Sequence, residues 1–122
     1  MNDGIVLRAN VFRPNAPGKF PVILAMSPYG KDAHFKDAYQ LQWAELTHLY
    51  PGVDKDGSSG KYLRWETADP ERWVPDGYIL IHIDSRGAGQ SPGFLDPRSF
   101  REVMDLYEAI EWAAKQQWSM GK

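Results

Sequence analysis

The chain of 122 residues contains no cysteine. That excludes a disulfide framework, a zinc–thiolate site and a thiol nucleophile. No apolar run approaches the roughly 18 residues that a membrane-spanning helix needs. The N-terminus, Met1-Asn2-Asp3-Gly4, lacks the basic-then-apolar layout of a secretory signal. The expected setting is therefore cytoplasmic, with no membrane partner. Charge of one sign is missing too: 14 basic and 16 acidic side chains are interspersed for a net charge of −2. Without a basic stripe threaded by aromatics, a nucleic-acid partner is excluded. What the chain does have is 43% hydrophobic residues, including five Trp, six Tyr and five Phe. That content can build a core, and the length fits one domain or a piece of one.

Ile5 to Phe12 is β-prone and partly alternating and reads as a strand, followed by the turn Arg13–Gly18. Phe20 to Met26 is a near-continuous apolar run, the pattern of a strand buried on both faces. Between Ala33 and Leu49 the apolar residues Phe35, Ala38, Tyr39, Trp43, Leu46 and Leu49 fall on one helical face, and Pro51-Gly52 stops the helix. Residues 54–61 form a solvated loop, and a short helix is predicted over Asp69–Val74. Tyr78 to Asp84 is the clearest strand. Ser99-x-x-Glu102 predicts a reciprocal capping box. The helix it opens carries Phe100, Val103, Met104, Tyr107, Ile110 and Ala114 on one face, as for a helix lying on a sheet. The fold class is α/β, with the long helix placed to deliver a further parallel strand.

The sharpest local pattern is Asp84-Ser85-Arg86-Gly87-Ala88-Gly89-Gln90-Ser91-Pro92-Gly93, directly after a strand. A dinucleotide fingerprint would need its third glycine at position 92, which is Pro92, and a helix opening at once rather than near Ser99. The pattern instead suits a tight turn with glycines at positive φ and Arg86 in a buried polar contact. The second pattern is Ser27-Pro28-Tyr29-Gly30-Lys31, at the carboxyl end of the buried strand, the edge where open α/β sheets gather ligands. Held between Pro28 and Gly30, the Tyr29 hydroxyl could serve a developing oxyanion, or the ring could simply pack. Asp54, Asp56 and Ser58 suggest a calcium loop, but position six is Ser59 and position twelve is Trp65. His34, His48 and His82 share no metal-ligand spacing, and His82, inside a strand, reads as a satisfied core residue. No metal or cofactor is expected.

Four blocks together resemble the Xaa-Pro dipeptidyl-peptidase, cocaine esterase and α-amino-acid ester hydrolase family. They are Asp3-Gly4 with Leu7, Ala9, Val11 and Pro14; Phe20–Leu24 through Pro28-Tyr29-Gly30-Lys31; Asp76-Gly77-Tyr78 through the Asp84–Gly93 turn; and Ile110-Glu111-Trp112 with Gln117-Trp118-Ser119 and Gly121-Lys122. The resemblance runs through essentially the whole chain, residues 1–122, in order. It implies the N-terminal portion of an α/β-hydrolase sheet, mixed and mostly parallel with helices on both faces, cut before the nucleophile strand.

It also implies a Ser-Asp/Glu-His triad working through an acyl-enzyme on esters, amides or Xaa-Pro peptide bonds. Tyr29 then corresponds to the oxyanion-hole tyrosine, acting with a backbone N–H beside the nucleophile. No Gly-x-Ser-x-Gly nucleophile elbow is expected anywhere in the 122 residues. Ser91 and Ser119 are not substitutes, because neither sits in an elbow and no His is placed to activate them. No substrate-pocket residue is carried over from residues 34–73. The implied partners are a small ester, amide or short peptide and the rest of the catalytic domain, and a homo-oligomer stays open. The segment alone is expected to be inactive. Rival readings are a non-catalytic binding or regulatory module and, further off, a small nucleotide-binding domain.

Overall fold

The computed structural model describes residues 1–121. Three strands, β1 (Ala9–Phe12), β2 (Val22–Ser27) and β3 (Ile79–Asp84), form one mixed sheet in the order β1-β3-β2. β1 runs antiparallel to β3, and β2 runs parallel to it with Ser27 opposite Asp84. The two parallel strands therefore end together, so the loops that follow them emerge side by side.

Every residue of β3 is buried, as expected for a central strand of branched aliphatics. Side chains alternate across the sheet. Ile79, Ile81 and Ile83 form a core with Ala109 and Ala113 of the long helix, joined by Val22, Leu24 and Met26 of β2. On the opposite face His82 meets the ring of Phe12 edge-on at 5.5 Å, and Phe12 in turn meets Tyr62 at 5.2 Å. Short helices α1 (Phe35–Ala38), α2 (Gln40–Leu49) and α3 (Pro70–Trp73) lie in the long connection from β2 to β3.

Several expectations are corrected here. β1 is shorter than the predicted Ile5–Phe12 strand. The chain turns at Gly4 (φ +85), Asp3 accepts the Ile5 N–H, and Arg8 spends its N–H on the Ser91 hydroxyl. The single helix expected over 33–49 is two helices, broken at Tyr39 (φ −134, ψ 62), whose ring stacks on Trp65 at 4.8 Å. No residue of α2 is buried. The short helix forms where expected, over Pro70–Trp73, capped by Asp69, which accepts the Glu71 N–H.

The long helix α4 (Phe100–Ala114) opens at Ser99, whose hydroxyl accepts the Glu102 N–H. The return bond of the capping box goes elsewhere. Glu102 accepts from Arg98 N, while Ser99 N donates to Asp96 O. The largest correction concerns which side of α4 meets the sheet. Asp105, Ala109 and Ala113 are buried, and Phe100, Val103, Tyr107 and Ile110 are exposed. The small side chains of Ala109 and Ala113 pack onto the sheet core, while most of the apolar stripe read as core-facing is left exposed, with Ile110 and Ala114 over the open side of β2.

After α4 the chain turns back to β2. Phe20 and Ser119 form a parallel bridge, with Phe20 N donating to Trp118 O at 2.9 Å and Met120 N to Phe20 O at 3.0 Å. It is an isolated parallel bridge, and among the described residues no further strand follows α4. Lys122, which closes the last of the matching sequence blocks, lies outside the described residues.

Candidate active site

The turn after β3 is built around two buried carboxylates. Asp84, at the strand end, is 1% exposed. Its two oxygens accept the Lys31 N–H at 2.5 Å and the Gln90 N–H at 2.8 Å. Its backbone carbonyl accepts the Ser91 hydroxyl at 2.7 Å. Gly89 (φ +50) passes so near that a Cβ would stand 2.4 Å from a carboxylate oxygen, and a Cβ on Gly87 would meet the Leu95 backbone nitrogen at 2.3 Å. These glycines are required by contact as well as by backbone angle.

Arg86 makes a bidentate pair with the fully buried Asp105 of α4, two N–H donors at 2.8 Å each, and a third bond to Asp3. Arg101 donates to the same carboxylate one helical turn away. Burial pushes the Asp105 carboxyl up, but hydrogen bonds from Arg86 and Arg101 outweigh it and leave the group below the usual carboxylate range. The expected buried contact of Arg86 is thus an ion pair that ties the turn to the helix.

The neighbouring turn carries Tyr29. It is exposed at the carboxyl edge of β2, with Gly30 (φ +89) after it and its own N–H bonded to Ser27 Oγ at 3.3 Å. Tyr39 and Trp65 meet its ring edge-on at 5.9 and 6.4 Å. The ring is supported on one side by these aromatics, and among the described residues no protein group bonds its hydroxyl. The tyrosine borders a cleft of about 680 Å³ running from the end of β2 to the first turns of α4, with Ser27, Glu66, Arg98, Glu102 and Leu106 also on its walls. Glu66 (φ +53) and Arg98 (φ +64) are the non-glycine residues in left-handed conformation among those described, and both border this cleft. Such strain concentrates at functional sites.

Other candidates resolve as follows. His34 caps α1, its Nδ1 accepting the Lys36 N–H and its Nε2 lying 2.8 Å from Gly60 O. His82 is buried, but its Nε2 has no partner, so it is not the satisfied core residue expected. Burial lowers its pKa, offset in part by a hydrogen bond to the Ala68 backbone. The spelling Gly-x-Ser-x-Gly does occur, at Gly89-Gln90-Ser91-Pro92-Gly93, so the chain is not free of that pattern. The segment is a loop, not a strand–turn–helix elbow. The Ser91 hydroxyl is buried, donating to Asp84 O and accepting from Arg8 N, with no imidazole bonded to it.

Sequence reasoning missed the part played by four residues of this edge. Asp105 looked like a polar position on a helix; its spacing to Arg101 was the available sign of an ion pair. Lys31 is buried with its ammonium paired to Asp32 and 3.9 Å from Asp84. Glu66 and Arg98 gave no sign of their backbone conformation.

The mixed sheet, with two parallel strands ending together beside a cleft and Tyr29 at that edge, is an α/β arrangement. The chain belongs to the X-Pro dipeptidyl-peptidase (S15) family, whose model matches residues 3–122. A CocE/NonD family hydrolase from Staphylococcus aureus of known structure is 41% identical, with a TM-score of 0.79 over 100% of this chain and 20% of that one. Cocaine esterase from Rhodococcus sp. (strain MB1 Bresler) is 27% identical over 99% of this chain and 16% of its own length. An aminopeptidase from a Thaumarchaeota archaeon of marine sediment shares the fold at 17% identity, with a TM-score of 0.62. The chain thus spans about a fifth or less of the relatives it matches. No helix among the described residues is long and apolar enough to cross a membrane.

Proposed function

We propose that this chain is the N-terminal segment of a serine hydrolase that cleaves ester, amide or Xaa-Pro peptide bonds through an acyl-enzyme, and that Tyr29 is its oxyanion-hole donor. The observation that supports the reading is the Tyr29 hydroxyl, unbonded among the described residues at the carboxyl edge of β2 in a chain of this family. A phenolic O–H held by a turn and two supporting rings meets the developing negative charge without reorganising, which is where such donors act. The second donor, a backbone N–H beside the nucleophile, and the Ser, Asp/Glu and His of the triad come from outside these residues. The segment alone is then inactive.

The exposed stripe on α4 and the open side of β2, where Ser119 makes its one bridge, are the surfaces that would receive the rest of the catalytic domain. The substrate is a small ester, amide or short peptide; nucleic acid and membranes are not partners in this reading, and the setting is cytoplasmic.

A fluorophosphonate probe tests the assignment. The complete hydrolase should be labelled once, on a serine outside residues 1–122, and the 122-residue chain should stay unlabelled. Labelling of Ser91 or Ser119 would contradict it.

A further inference from the structure

We propose that Asp84 is a positioning residue that aims Tyr29, an inference that rests on Tyr29 being the oxyanion donor. Gly30, immediately after the tyrosine, has φ +89 and no side chain to restrict it. Tyr39 and Trp65 support the ring and Ser27 Oγ accepts the Tyr29 N–H, while the backbone beyond Gly30 needs its own anchor to hold the turn's direction. The contact there is the Lys31 N–H to Asp84 at 2.5 Å, on a carboxylate 1% exposed. A bond from a backbone N–H to a buried carboxylate oxygen is among the stronger kinds.

The second Asp84 oxygen is engaged by Gln90 N from the adjacent turn. Two donors from two loops converge on one side chain, and only a carboxylate presents two acceptors to them. The 84–93 turn is itself shaped around that group, since a Cβ on Gly89 would lie within 2.6 Å of each carboxylate oxygen and of the carbon between them. Asp84 thus transmits the rigidity of the central strand to the tyrosine turn through the Lys31 amide. It touches no substrate.

The test is a double-mutant cycle in the complete hydrolase with an activated ester, using Asp84→Asn and Tyr29→Phe. Asparagine keeps the size but turns an NH₂ toward one of the two backbone donors. Asp84→Asn should lower kcat by about 10- to 10²-fold, the scale of a misplaced catalytic group, with KM within about twofold. In the Tyr29→Phe background the same substitution should change kcat by less than about twofold, because the hydroxyl it aims is gone. An equal fold-loss in both backgrounds overturns the positioning role and leaves the oxyanion role of Tyr29 standing. An unchanged kcat for Tyr29→Phe itself overturns the oxyanion reading instead.

Should Asp84→Asn fail to fold, replacing the Lys31 backbone amide by an ester removes that one donor and leaves every side chain in place. The same kcat loss is expected, again only with Tyr29 present. A wild-type rate for the ester-linked protein overturns the proposal.

Discussion

Two turns lie side by side at the carboxyl edge of the sheet, and they use their polar atoms in opposite ways. In the turn after β3, Asp84, Arg86, Gln90 and Ser91 all bond to other parts of the protein, and Asp105 and Arg101 extend the network into α4. In the turn after β2, the Tyr29 hydroxyl bonds to nothing in the described protein and faces a cleft. Buried polar groups are costly to leave unsatisfied, and in the first turn those of Asp84, Arg86 and Ser91 are taken up by the protein, the buried Ser85 hydroxyl being the exception. A hydroxyl left unsatisfied at an exposed edge incurs no such desolvation and is available. The more conspicuous sequence pattern is therefore scaffold, and the plainer one carries the candidate catalytic group.

Substitutions in the first turn should act on stability, the largest at the buried ion pair. Arg86→Ala leaves Asp105 charged and buried beside Arg101 alone, and should destabilise by roughly 3–5 kcal/mol in a denaturant titration. Loss of less than 1 kcal/mol would mean that the pair is not a strut. Arg86→Lys should recover only part of the stability, because an ammonium cannot reproduce the two-pronged geometry.

Gly89→Ala comes next. Its φ of +50 and the crowded carboxylate should cost about 1–3 kcal/mol by the same titration. An alanine tolerated at no cost would remove the argument that the turn is moulded on Asp84. Ser99→Ala, outside both turns, deletes one cap on α4 and should lower stability by about 1 kcal/mol.

The smallest effect is a pH dependence from His82. Its folded pKa is lowered by burial, so the unfolded chain binds the proton more readily. Stability should hold above about pH 6.5 and fall as the pH drops below it, where the unfolded state takes up the proton and the folded state does not. His82→Gln should flatten that slope in unfolding curves taken between pH 7.5 and 5.5. An unchanged slope would assign it to other groups.

Much of the frame was legible in the residues. The branched aliphatics of Tyr78–Asp84 marked the central strand, Ser99 marked the start of α4, and Pro28-Tyr29-Gly30 placed a tyrosine at a strand end. The orientation of α4 was not legible, because periodicity reveals an apolar stripe without saying what covers it. Ala109 and Ala113 fit a close helix–sheet contact, and Phe100, Val103, Tyr107 and Ile110 do not. The break at Tyr39 depends on stacking with Trp65, 26 positions away, and Arg86 finds Asp105 across 19 positions. Such pairings have no local signature. The spelling at Gly89–Gly93 shows the converse: five letters match an elbow, and the burial of Ser91 under Asp84 O decides against it.

The division of labour between the two turns is tested most directly by an oxyanion-bearing transition-state analogue, such as a boronic acid, bound to the complete hydrolase. Tyr29→Phe should weaken its Kd by roughly 10²–10³-fold, the worth of one oxyanion-hole donor, with substrate KM within about twofold and thermal unfolding unchanged. An analogue Kd equal to wild type would return Tyr29 to a packing role and contradict the account.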